Sequence, residues 1–183
     1  MSLKHGLLGL LNYGEMTGYE LDKAFKVSLN FFWQAQTSQI YRELTTMEKQ
    51  GWLNSKIIPQ VGKPNQKRYW LTDSGRLELN RWLDQDETEE ALNVKNAFLM
   101  KLFFSANRPI ADTVESLKTY QAQCEKTLLG LRQSGSVIQD YGSDLQDKRN
   151  MSYWGATASF GLSYLMMCSK WAEETINNLE AIS

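Results

Sequence analysis

The chain has 183 residues, with 42% hydrophobic and 22% charged side chains and a formal net charge of -1. This composition describes a globular protein able to bury a core in one large or two small domains, and it excludes a disordered or collagen-like chain. No apolar run approaches the roughly 18–20 residues that would span a bilayer, and any imidazole-dependent catalytic triad would have to use the single histidine, His5, which lies in an apolar first helix.

The first segment, "MSLKHGLLGLLNYGEM", mimics a signal peptide but lacks a small-residue cleavage site, so it reads as a buried first helix carrying Leu3, Leu7, Leu8, Leu10 and Leu11. In "TGYELDKAF", Thr17 and Glu20 form a capping box, and Leu21, Ala24, Phe25 and Leu29 keep helical spacing behind it. An aromatic break, Asn30 to Gln36, precedes a third helix capped by Thr37 or Ser38. There Ile40, Leu44 and Met47 form the inward stripe, while Thr37, Ser38, Gln39, Tyr41 and Arg42 are left for an outer face. Gly51 ends it. Two strand-like stretches follow around "QVGKPNQ", giving a hairpin whose bases are Lys63, Lys67 and Arg68. Thr72 caps a fourth helix through Leu79, Trp82 and Leu83. Three helices, a hairpin and a closing helix make a winged helix-turn-helix over residues 1–83.

The acidic stretch 84–90, "DQDETEE", reads as a linker, and residues 91–183 as helical throughout. Residues 91–104 are expected to form one amphipathic helix. After Pro109, a four-three rhythm runs through Leu117, Cys124, Leu128 and Leu131 for about four heptads, as a helix holding a seam requires. The last helix, from Met151 to Ala181, bears two stripes. One holds Trp154, Leu165 and Cys168; the other holds Tyr153, Phe160, Tyr164, Met167 and Trp171. Burial on two sides of one helix calls for a second copy, so Leu117, Cys124, Leu128, Leu131, Trp154, Leu165 and Trp171 are assigned to dimerisation. The expected class is mainly α (α+β), a winged unit joined to a helical dimerisation domain.

Residues 1–83 carry 11 Lys and Arg against 7 Asp and Glu, and residues 84–183 carry 9 against 14, so only the first half is suited to a polyanion. A helix N-terminus fits the major groove, where Gln reads adenine and Arg reads guanine or phosphate. Candidate DNA contacts are therefore Thr37, Ser38, Gln39, Tyr41 and Arg42, with Tyr19 and Lys23 near phosphates and Lys63, Lys67 and Arg68 on the wing. No catalytic residue, cofactor or metal site is expected, and glycine motifs for phosphates are absent. Cys124 and Cys168 suit a reducing cytoplasm. Trp33, Tyr153 and Tyr164 are candidates for lining an effector pocket. The alternative to a DNA-binding function is a winged-helix adaptor for protein contact.

Taken in order, "GLLGLLNYGEMTGYELDKAF", "FFWQAQTSQIYRELTTMEKQGWL" and "KRYWLTDSGRLELNRWL" resemble the PadR family of bacterial transcription regulators. "NAFLMKLFF" before two long helices looks like its longer subfamily, which includes AphA-type virulence activators. The resemblance implies a homodimer acting on double-stranded DNA at a roughly palindromic operator. It also implies repression relieved by a small phenolic or aromatic effector. By matching position it places Tyr19, Ser38, Tyr41 and Arg42 on DNA. Lys95 departs from the Arg common in the family, so a salt-bridge role there does not carry over.

Overall fold

The computed structural model describes residues 3–60, 62, 65–86, 88, 95–143 and 149–182, and for residues 134–143 the backbone alone. Two compact units divide at Asp86 and Glu87.

The first unit assembles α1 (Leu3–Leu11), β1 (Met16–Thr17), α2 (Gly18–Ser28), α3 (Thr37–Lys49), β2 (Leu53–Ile58), β3 (Gln66–Leu71) and α4 (Asp73–Leu83). Leu7, Leu8, Leu21, Phe25, Ile40, Leu44, Met47 and Leu53 are almost wholly buried in one core. Each such side chain contributes about 2 kcal/mol of transfer free energy before the entropy of ordering is set against it. The expected capping box is present: Thr17 Oγ1 accepts the Glu20 N–H at 3.2 Å, and Glu20 Oε2 accepts the Thr17 N–H at 2.7 Å. Those bonds, the backbone one above all, hold the Glu20 carboxyl below its usual range.

At the start of α3 the expectation needs correcting. Neither Thr37 nor Ser38 is the cap; Gln36 is, and its N–H donates to the Gln39 side chain at 2.8 Å. The glutamine at the third helical position reaches back to the cap and takes up one orphan donor. α3 stops at Gly51, whose φ of +73° suits a residue without a Cβ.

The sheet has the order β1-β3-β2, antiparallel throughout, with Leu53 opposite Leu71, Ser55 opposite Tyr69 and Lys56 opposite Arg68. The sequence reading missed β1, whose two residues are too few to show alternation. The hairpin and the fourth helix follow expectation, and Thr72 Oγ1 accepts the Gly75 N–H at 3.1 Å. His5 stacks on Trp82, with centroids 4.8 Å apart and planes at 8°, and its Nε2 lies 3.0 Å from Glu78 Oε1. Glu78 also accepts Arg81 at 2.7 Å and faces Lys4 at 3.6 Å, so a buried carboxylate ties α4 to α1.

The second unit holds α5 (Ala97–Phe103), a 3-10 turn at Ser105–Asn107, α6 (Ile110–Ser143) and α7 (Arg149–Glu180). The expected helix over 91–104 is shorter in fact. Lys95 and Asn96 are not helical, and residues 91–94 lie outside the described residues. Asn96 is the reason: its Oδ1 accepts the N–H groups of Phe98 and Leu99 at 2.9 and 3.2 Å and so starts α5 itself.

α6 and α7 form an antiparallel hairpin, with Lys118 paired to Glu180 and Ser169 reaching Glu125. Val114 and Leu117 pack with Ala172 and Ile176, and Phe98, Tyr120 and Trp171 flank them. The residues assigned to dimerisation are distributed as follows within one chain. Leu117, Cys124 and Leu165 are already buried within one chain, Trp171 packs on the same core, and Leu128, Leu131 and Trp154 are half-buried. A heptad rhythm shows that a stripe is covered, not whose helix covers it. No described helix is long and apolar enough to cross a membrane.

Candidate nucleic-acid interface

The helical period splits α3 into two faces. Ile40, Leu44 and Met47 point inward, fully buried, while Thr37, Ser38, Gln39, Tyr41 and Arg42 are exposed. The side chains expected to meet bases therefore share the first turns of one helix and its outer face. Further along, the Thr45 and Thr46 hydroxyls donate back to the carbonyls of Tyr41 and Arg42, both at 3.0 Å. Tyr19, 66% exposed, and Lys23 stand free on α2 beside this helix.

Tyr41 is only partly free. A Cβ built on Gly18 would lie 2.7 Å from Tyr41 Cε1, so the ring rests on the first turn of α2 where no side chain intervenes. Burial, and then the charge of Asp22, push its hydroxyl pKa upward, leaving it a neutral donor.

On the wing, two of the three expected cations face acids of the same unit. Lys67 is half-buried, and its Nζ donates to Glu48 Oε2 of α3 at 2.6 Å, where Ser55 also donates to the same carboxylate. That contact holds the Glu48 carboxyl below its usual range and raises the Lys67 ammonium. Arg68 lies 3.8 Å from Glu20 Oε2, and its buried Nε has no hydrogen-bond partner. Lys67 and Arg68 thus each face an acid of the same domain. Lys63 lies outside the described residues. Lys56 stands exposed opposite Arg68 on the neighbouring strand. Nothing local announces the Lys67–Glu48 pair, because 19 residues separate its members.

Trp33 belongs to the first unit, and Tyr153 and Tyr164 to the second. Trp33 packs, half-buried, on the winged core, and Tyr153 and Tyr164 stand exposed on α7. Burial and the neighbouring Cys168 raise the Tyr164 hydroxyl pKa. A cleft of about 490 Å³ does open in the helical unit, lined by Phe98, Lys101, Leu102, Arg108, Thr113 and Ser116 among others, and neither tyrosine lines it. Among the described residues, no group of three or more His, Cys, Asp or Glu side chains could hold a metal ion.

Residues 7–81 match the transcriptional regulator PadR-like family, and residues 94–180 match the virulence activator alpha C-term family. Among curated proteins, the negative transcriptional regulator PadR of Bacillus subtilis is 40% identical over 102 residues, 56% of either protein. The chain spans about half the length of the curated relatives it matches. The likeness to solved structures is longer. The crystal structure of Bacillus subtilis PadR in complex with operator DNA has a TM-score of 0.78 at 27% identity, covering 97% of this chain and 98% of that one. The same protein in complex with p-coumaric acid gives 0.72 at 26%, with the same coverage. The Vibrio cholerae virulence activator AphA gives 0.62 at 26% over the whole of both chains. The chain thus carries a PadR-like domain followed in order by a virulence-activator helical domain, the arrangement of the longer branch of PadR-type transcriptional regulators.

Proposed function

We propose that this chain is a homodimeric, sequence-specific DNA-binding transcription regulator, a repressor that releases its operator when a small phenolic or aromatic effector binds. The observation that carries the reading is the outer face of α3, where Ser38, Gln39, Tyr41 and Arg42 stand exposed over a fully buried stripe. Such a helix has the donors and acceptors for base edges and phosphates and the backing to hold them still. Dimerisation is supported by the outer stripe of α7. In the single chain Tyr153 is 71%, Phe160 66% and Met167 56% exposed, an apolar surface that a second copy would cover by two-fold symmetry. Two winged units would then meet successive major grooves about one helical turn apart. The effector reading rests on similarity to PadR, which is known with p-coumaric acid bound. The reading is of a cytoplasmic binding protein rather than an enzyme.

Selection of bound duplexes from a random pool, repeated with aromatic acids, tests it. A recovered, roughly palindromic sequence whose affinity falls with salt is the expected result. Arg42→Ala should weaken binding to that sequence about tenfold or more and leave the oligomeric state unchanged. Indifference to every duplex in dilute buffer would end the proposal.

A further inference from the structure

The first turn of α3 is tied to α2 by a cation. Lys26 Nζ lies 2.7 Å from Asp22 Oδ2, one turn back on its own helix, and 2.6 Å from Thr37 Oγ1, the first residue of α3. The bond to Asp22 alone would be an ordinary surface pair. The bond to Thr37 spans the aromatic break between the two helices, joining groups 11 residues apart in sequence. Asp22 is itself buried, and its Oδ1 has no hydrogen-bond partner. A desolvated carboxylate in that condition favours keeping its one cation close. The same junction holds a second fixed point, since the Tyr41 ring lies against Gly18 on the first turn of α2. Ser38 and Gln39 lie between the two points in sequence, and Arg42 follows the second.

We infer that Lys26, oriented by Asp22, is a positioning residue that sets how α3 is presented to the major groove. It thereby governs sequence discrimination rather than backbone affinity. The charge bookkeeping supports this. Lys26 is neutralised by Asp22, so the pair offers a phosphate little net attraction, while base readout depends on side chains held to within about 0.5 Å. The inference rests on the DNA-binding reading above.

The experiment compares wild type, Lys26→Met, Lys26→Arg and Asp22→Asn, each checked for its melting temperature, on the selected duplex and on an unrelated one across a salt series. The expected result for Lys26→Met is about a tenfold loss on the selected duplex, with unrelated binding and the log-salt slope as in wild type. Lys26→Arg should recover most of that loss. Asp22→Asn is the sharper variant because the two roles give opposite signs. Removing a negative charge near DNA should strengthen binding if Lys26 serves a phosphate, and should weaken selective binding if Lys26 serves Thr37. Equal losses on both duplexes with a slope shallower by about one phosphate would overturn the inference, as would no change in any variant. Failure of wild type to prefer any duplex would instead overturn the DNA-binding reading, and this inference with it.

Discussion

Lys67 of β3 and Glu48 of α3 are joined at 2.6 Å, so a cation expected on DNA is held by an acid of its own domain. Glu48→Gln should release it. Binding to unrelated duplex should then tighten and the log-salt slope steepen by about one phosphate contact, measured by fluorescence anisotropy. An unaltered slope would keep Lys67 off the backbone. The pair also has a pH window. Glu48 is lowered and Lys67 raised, so the link contributes above the ordinary carboxylate range and is lost as pH falls through the lowered Glu48 value. At the alkaline end it is lost as pH rises through the raised Lys67 value.

Gly75 meets the backbone more closely than any side chain permits. A Cβ there would sit 2.2 Å from the Trp52 carbonyl oxygen, and backbone cannot step aside as a flexible side chain does. Gly75→Ala should therefore destabilise the winged unit by about 2–3 kcal/mol, read from chemical denaturation. A loss under about 0.5 kcal/mol, the range of an ordinary surface change, would show that the turn into α4 yields more easily than its geometry indicates.

Glu78 gathers His5, Arg81 and Lys4 on one buried carboxylate, and the His5 hydrogen bond does most to hold its pKa below the usual range. Its contribution is present above the ordinary carboxylate pKa and disappears as pH falls through the lowered one. Glu78→Ala should cost about 2 kcal/mol at neutral pH and should make the acid limb of the stability profile shallower. Equal acid sensitivity in wild type and variant would assign that limb to other carboxylates.

Phe160 is 66% exposed and stacks along α7 on Tyr164, with centroids 6.2 Å apart. Phe160→Glu should leave the helical hairpin nearly as stable within each chain and shift the protein toward monomer in sedimentation velocity. A dimer of unchanged strength would move the interface off this face.

Much of the fold could be read from residue patterns because helices announce themselves by period and cap. Thr17 with Glu20, Thr72 before Asp73, and the Ile40–Leu44–Met47 stripe were all visible before any coordinates. What escaped the reading depended on distance or brevity. β1 is two residues long, and α5 begins where an asparagine side chain outcompetes propensity. The seam through Leu117 and Cys124 was legible as a covered stripe, yet its cover is the next helix of the same chain. The outer face of α3 was legible, whereas the acids that hold Lys67 and Arg68 come from α3 and α2 and could only be seen in three dimensions.

Thr17 belongs to two elements at once, pairing with Arg68 in the sheet while its hydroxyl ends the ladder of α2. A strand residue that is also a helix cap cannot leave one without releasing the other. β3 and the first turn of α2 should consequently open as one cooperative unit, their amides exchanging with solvent at a shared free energy instead of fraying piecemeal.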